Sequence, residues 1–362
     1  MAISRRLVAL AAATVMVVAA CGGTAAPTTK AFKACVAFDT GGLGDKGFND
    51  LAKKGLDAAA AAGMATAYSE AKGSTDYAAN ITRLIDQGCT SIVAVGNNQQ
   101  APTQKAATDN PKVAFSIIDT VWDPSGPDGK VGTADDVKIV ANFAGLDFRV
   151  EQPGMLAGYL AAGFSKTGII GTYGGQQFPG VSRFMDGYAA GINYYNKEKG
   201  KTVKLLGWDP VTQTGQFVGG DNPWGDAAKG EQIAKNFVDQ GADVVAPVAG
   251  ATGNGSIKYM VSVGKYGIGV DADQVLTLPE YSKAFLTSVE KLIDVAVLNQ
   301  FKLNQSGNLG GTNSEATLAN GGVKISPYHE FDAQFSAELK AGADALKAKI
   351  ISGDVKVADY FK

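Results

Sequence analysis

The sequence predicts an α/β protein built as two similar, Rossmann-like lobes, and three features carry that expectation. Short runs of Val, Ile and Ala alternate with segments of helical period, the pattern of a parallel sheet covered by helices on both faces. Strand after strand runs into a glycine-containing loop, as 35–38 does before Gly41-Gly42 and 91–95 before Gly96. The helix end Asp86-Gln87-Gly88, the strand 91–95 and Gly96 are echoed by Asp239-Gln240-Gly241, the strand 243–248 and Gly250. A chain of 362 residues is long enough for two such lobes.

Residues 1–20 open with Arg5-Arg6, continue as an apolar run and close on small residues, which marks a secretion signal too short to span a bilayer. Its end, Val18-Ala19-Ala20-Cys21, resembles a lipobox. Cys21 is therefore expected to become the lipidated first residue of the mature chain, with 21–32, rich in Gly, Ala, Thr and Pro, as a flexible tether. A simple cleaved signal with an incidental cysteine is the alternative. Cys35 and Cys89 remain as an even pair in a compartment where disulfides persist, and are expected to bond across the starts of two neighbouring strands. Two buried free thiols are the competing reading.

The first strand, 35–38, leads through Asp39-Thr40-Gly41-Gly42-Leu43-Gly44-Asp45-Lys46-Gly47-Phe48-Asn49-Asp50 into an alanine-rich helix. There Phe48, Leu51 and Leu56 recur near helical spacing as far as Gly63. Tyr77, Ile81, Leu84 and Ile85 fall at i, i+4, i+7 and i+8, an amphipathic helix stopped by Gly88. Strand 91–95 ends at Gly96-Asn97-Asn98, a short helix covers 101–107, and strand 113–118 ends at Asp119. Residues 123–136, with three glycines, two prolines and four aspartates, read as an inserted acidic loop. An EF-hand register with Glu at its twelfth position does not fit them, so an ordinary acidic turn is expected rather than a calcium site. Strand 139–143, helix 152–164, strand 168–173, the loop Gly174-Gly175, helix 181–195, strand 203–206, helix 227–240 and strand 243–248 follow.

The stretch from Asp39 to Asn49 resembles the signature of the basic membrane protein family, purine-nucleoside receptor lipoproteins that serve ABC transporters. Gly47 stands where that family usually has Ser. The resemblance extends to Gly174-Gly175, to Phe184-Met185-Asp186-Gly187-Tyr188-Ala189-Ala190-Gly191 and to Gly269-Val270-Asp271-Ala272-Asp273-Gln274. It implies a type I periplasmic-binding-protein fold, two lobes joined by crossing segments with the ligand in the cleft. Crossings are expected near Gly145, Val270 and Gly321, which divides the chain into 33–145 with 271–320 as lobe 1 and 146–270 with 321–362 as lobe 2.

Strand-end loops of open α/β sheets are where ligands bind, and a helix N-terminus favours electronegative atoms. Candidate ligand residues are accordingly Asp45, Lys46, Phe48 and Asn49 from the first loop, Asn97 and Asp119 from the next strand ends, and Gly250 and Asp271 from the second half. Lys291 follows Leu286-Thr287-Ser288-Val289, which resembles a family segment of pattern Leu-Thr-Ser-x-x-Lys. The resemblance implies that Asp119 contacts the base edge and that Asp271 and Lys291 contact ribose hydroxyls; a carboxylate suits a vicinal diol because it accepts two hydrogen bonds. Phe48 is expected to stack on one side of the base. On the other, Trp224 replaces the family's Phe in Trp224-Gly225-Asp226-Ala227-Ala228-Lys229-Gly230, inside a loop lengthened by 219–223, with Phe217 as a substitute. The plainer readings are helix capping for Asp45 and Asp226, core packing for Phe48, and a solvated helix position beside Asp294 for Lys291.

A net charge of −2 without blocks of like charge gives no electrostatic case for a nucleic-acid partner. The single histidine, His329, lies far from the strand-end loops, and neither Gly-x-Ser-x-Gly nor His-Glu-x-x-His is present, so no catalytic centre, metal or cofactor is expected. The expectation is a monomeric, lipid-anchored binder on the outer face of the cell membrane that delivers a nucleoside to an ABC permease. A nucleoside-cleaving enzyme and a receptor-like surface lipoprotein are its rivals.

Overall fold

The computed structural model describes residues 31–126 and 129–361. The signal segment, Cys21 and nearly all of the expected tether lie outside the described residues. From the N-terminal side the chain runs β1 (Lys33–Phe38), α1 (Phe48–Ala61), β2 (Ala65–Glu70), α2 (Tyr77–Asp86), β3 (Ser91–Val95), α3 (Gln100–Asp109), β4 (Ala114–Ile118) and β5 (Phe143–Phe148). It continues with α4 (Glu151–Phe164), β6 (Ile169–Gly174), α5 (Pro179–Lys199), β7 (Lys204–Leu206), the hairpin β8 (Trp208–Asp209) and β9 (Thr214–Gly215), α6 (Ala227–Asp239), β10 (Val244–Val248), α7 (Ala251–Ser262) and β11 (Tyr266–Asp271). The last third holds α8 (Gln274–Thr277), β12 (Phe285–Lys291), α9 (Ile293–Gln305), β13 (Ser314–Ala316), β14 (Val323–Ile325) and α10 (Ala337–Ser352).

Two six-stranded sheets result, ordered β13-β5-β4-β3-β1-β2 and β14-β12-β11-β10-β6-β7. Every pairing within them is parallel except β12 with β14. Each sheet reverses its strand order at its first strand, β1 between β2 and β3, β6 between β7 and β10. Ligand sites of open sheets form at such switch points. The central strands are apolar and wholly buried, as helices on both faces demand.

Three expectations need correction. The strand expected at 139–143 lies at Phe143–Phe148, because Gly145 and Asp147 interrupt the apolar run but not the ladders, Gly145 pairing with Ile117 of β4 and Asp147 with Glu315 of β13. β2 was not anticipated, since ATAYSE is a largely exposed edge strand with no apolar block. The segment 271–320 does not belong to one lobe. β12 continues the second sheet beside β11, and the chain crosses after Lys291 rather than near Val270. From there α9 packs on α1, where Lys54 pairs with Asp294 at 2.6 Å, and meets the start of β3, where Ser91 Oγ donates to Asn304 Oδ1 at 2.8 Å. We propose that the first lobe takes α9 and β13, and the second takes β12 and β14.

Helices α4 and α5 fix the second sheet's inner layer. A Cβ on Gly191 would come within 2.1 Å of the Met155 carbonyl and one on Gly158 within 2.4 Å of the Tyr188 carbonyl, so the two backbones touch and only glycine fits there. That contact seats α5 with Phe184 facing the cleft.

Cys35 in β1 and Cys89 just ahead of β3 are joined by a disulfide with their Cα atoms 6.0 Å apart. It closes a loop with a sequence separation of 54, which corresponds to ~4 kcal/mol in the chain-entropy view. Thiol labelling of the denatured, unreduced protein is expected to find neither cysteine free, and reduction should lower the melting temperature. Two labelled thiols would remove the bond.

Candidate functional site

Between the carboxyl ends of the two sheets lies a cavity with about 680 Å³ of atom-free space, part of it open to solvent. The first sheet contributes the loops after β1, β3 and β4, and the second those after β6, β10, β11 and β12. The cleft is closed: Asn98 Nδ2 donates to Gln176 Oε1 at 3.1 Å, Asn254 Nδ2 to the Asp45 carbonyl at 3.3 Å, and Gly180 abuts the Asp119 side chain.

The loop after β1 is held by its own carboxylates. Gly42 and Gly44 take positive φ, and Asp39 Oδ1 accepts from Gly41 N and Asn49 Nδ2 at 2.8 and 2.9 Å. Asp45 accepts from the backbone N–H groups of Gly47, Asn49 and Asp50 and from Asn49 Nδ2, so it caps the start of α1. Asp45 and Asn49 thus line the cavity while their polar atoms are engaged in shaping the loop. Lys46 is exposed, with a φ of 64°, and does not line the cavity. Asn97 does, its Oδ1 accepting from Thr120 Oγ1 at 2.5 Å.

At the other end, Lys291 is 3% exposed and its Nζ bonds Asp119 Oδ2 and stands 3.1 Å from Asp271 Oδ1. The latter oxygen is buried and accepts no hydrogen bond. Asp119 and Asp271 both adopt left-handed backbone, φ 64° and 67°, at the ends of their strands. Such conformations in non-glycine residues collect at functional sites. The ammonium lies 4.9 Å from the ring centres of both Phe48 and Phe184. Burial pulls the Lys291 ammonium down, but the Asp119 and Asp271 carboxylates together raise it, so it stays charged at neutral pH. The surface position beside Asp294 therefore does not apply.

Trp224 and Gly250 also line the cavity. Phe217 does not: it packs edge-on against Trp208 at 5.9 Å. Asp226 caps α6 by accepting from Lys229 N at 2.9 Å. His329 sits apart, its Nε2 2.8 Å from Asp273 Oδ2. In the acidic loop Asp123 accepts from Ser125 N and Asp136 from Gly132 N, as turn residues do. Sequence reasoning passed over Asp39, Phe178 and Phe184 as lining residues. Asp39 carried a usable signal, since Asp39, Asp119 and Asp271 all stand at the ends of apolar strands. Phe184, 1% exposed on a helix, carried none that separates it from core.

Burial pushes the Asp39 and Asp119 carboxyls up to about 6, against hydrogen bonds from Asn49 and Gly41 in the first and the Lys291 charge in the second. The folded protein then keeps protons that the unfolded chain has released above the ordinary carboxylate value of 3.8. This contribution to stability is fully present below that value and is lost as pH rises through about 6. Burial raises Asp45, Asp186 and Glu290 in the same direction. The melting temperature is expected to fall between pH 4 and pH 7; a rise across that window would reverse the assignment.

Two largely parallel sheets closing on a polar and aromatic cleft define the type I periplasmic-binding-protein fold. The fold is similar to that of an ABC transporter solute-binding protein from Aeropyrum pernix K1, with a TM-score of 0.77 at 24% identity over 90% of this chain and 92% of that one. The chain belongs to the family of PnrA-like ABC transporter substrate-binding proteins, which it matches over residues 32–211 and 216–360. It is 29% identical to the ABC transporter nucleoside-binding protein BmpA of Lactococcus lactis subsp. cremoris, over 96% of this chain and 97% of that protein. Basic membrane protein A of Borreliella burgdorferi is 28% identical, over 88% and 85%. No helix among the described residues is long and apolar enough to cross a membrane.

Proposed function

We propose that this protein captures a nucleoside, purine nucleosides being favoured, in the interlobe cavity and delivers it to an ABC permease while anchored through a lipid on Cys21 outside the cytoplasm. The observation that carries this reading is the pairing of Phe48 and Phe184 with the Asp119–Lys291–Asp271 cluster in one cavity. Aromatic faces suit a nucleobase, and a lysine between two carboxylates offers both donors and acceptors to vicinal hydroxyls. The name of the Lactococcus relative points the same way. Because Lys291 ties Asp119 to Asp271, we place Asp119 with the sugar hydroxyls, and the base toward Asp39 and Trp224. Contacts from both lobes would favour the closed form by their difference between the two states.

A binder rather than an enzyme is favoured because the carboxylates on the cavity wall are engaged by the protein itself, Asp39 and Asp45 in the loop after β1 and Asp119 and Asp271 beside Lys291, and because the family is one of substrate-binding proteins. The test is calorimetry with adenosine, guanosine, inosine and cytidine, together with chromatography for free base. Heat of binding without base release is expected. Released base would make the protein a hydrolase, and silence toward all four would favour another solute or a protein partner.

A further inference from the structure

The single histidine of the chain stands behind the charged end of the cavity and not on its wall. Glu290 and Lys291 are neighbours on β12, and successive side chains of a strand take opposite faces. Lys291 lines the cavity; Glu290 does not, and it meets Lys324 of β14 at 3.4 Å. In the same way β11 ends by delivering Asp271 to the cavity and, two residues on, Asp273 to His329, whose Nε2 lies 2.8 Å from Asp273 Oδ2. His329 is itself held in left-handed backbone, φ 45°, which a non-glycine residue keeps only where its surroundings impose it.

Four segments thus bring Asp273, Glu290, Lys324 and His329 together behind the wall, while Glu330, next to the histidine, is engaged by Ser282 Oγ at 2.9 Å. Asp273 Oδ1 and Glu290 Oε1 are both buried and accept no hydrogen bond among the described residues. Two carboxylates here face one lysine. With a neutral imidazole the group carries one net negative charge, and with an imidazolium it carries none. Burial raises Glu290 against the Lys324 charge, as befits a carboxylate short of partners. Histidine is the side chain that ordinarily changes charge between pH 5 and 8.

The turn that carries Asp273 also builds the binding wall. Asp271 Oδ1 stands 3.1 Å from Lys291 Nζ. Gln274 accepts from Val270 N at 3.1 Å and donates to Asn254 Oδ1 at 3.3 Å, and Asn254 donates to the Asp45 carbonyl across the cleft. Holding Asp273 therefore steadies both Asp271 and a contact that closes the cleft.

We propose that His329 is a positioning residue, whose protonation fixes the turn from Asp271 to Gln274 through Asp273 and so couples ligand affinity to pH. The choice of ligand rests on the nucleoside reading above. Because the chain has one histidine, protein prepared without added histidines gives a single imidazole C2–H resonance to follow by proton NMR. A ligand that prefers the charged form must, by linkage, raise the midpoint of that titration. Saturation with adenosine, or with guanosine, inosine or cytidine if one of these binds more tightly, is expected to raise it by about half a pH unit, which corresponds to about threefold tighter binding by the charged form. Calorimetry at pH 6 and pH 8 should show the same threefold difference between wild type and His329→Asn, a variant that tolerates the left-handed backbone, with thermal unfolding as the check on folding. Asp119, which titrates at about 6, affects both proteins alike and drops out of that comparison. A midpoint that stays in place or falls on binding would overturn the assignment, as would identical pH profiles for the two proteins. If no nucleoside binds at either pH, the nucleoside reading falls and this assignment with it.

Discussion

Replacing Lys291 by methionine is expected to abolish measurable nucleoside binding and to destabilise the protein by about 3–5 kcal/mol, the usual cost of removing one partner from a buried ion pair. The size follows from the surroundings: Asp119 and Asp271 would be left facing each other in a cavity wall, and Lys291 is the only cation that contacts both among the described ion pairs. Adding Asp119→Asn to Lys291→Met should recover part of the stability, because one buried charge is removed, but should not recover binding. Urea unfolding and calorimetry separate the two effects. A Lys291→Met protein with wild-type affinity would move the ligand away from this end of the cavity.

The second large effect is expected at Phe48. Phe48→Ala should weaken nucleoside binding by about 10- to 100-fold, in line with ~1–3 kcal/mol for stacking on one base. Phe48 is only partly buried, so the variant should remain folded. Phe184 is fully buried, and its truncation would mix core loss with ligand loss. Phe48→Ala is therefore the cleaner measurement. Unchanged affinity would show that the ring packs against the Lys291 ammonium and not against the ligand.

The alternation of strands and helices, the glycine-rich first loop and the Cys35–Cys89 pair were legible because each is written locally. Hydrophobic period sets element type, positive φ calls for glycine at Gly42 and Gly44, and a cysteine pair outside the cytoplasm has few choices. Even so, β2 escaped, since an exposed edge strand needs no apolar run. The expected ligand residues other than Lys46 lie on the cavity wall; those in the strand-end loops were reached by position along the chain, Trp224 and Lys291 by resemblance to family segments.

What each side chain does there was decided only by tertiary structure. Asp45, expected as a ligand residue with helix capping as the plainer reading, has its oxygens engaged in capping α1; Lys291, expected at the ribose hydroxyls with a solvated helix position as the plainer reading, is a buried partner of a residue 172 positions away. Which sheet β12 joins fixes where Lys291 stands, and strand order in a parallel sheet leaves no mark in the strands themselves. The sequence by itself determined the α/β period, the strand-end loops and the disulfide pair, because short-range packing and backbone preference encode them. Only the closed fold decided that Asp119, Asp271 and Lys291 neutralise one another between Phe48 and Phe184, because charge pairing depends on distances that three separate crossings of the chain bring about.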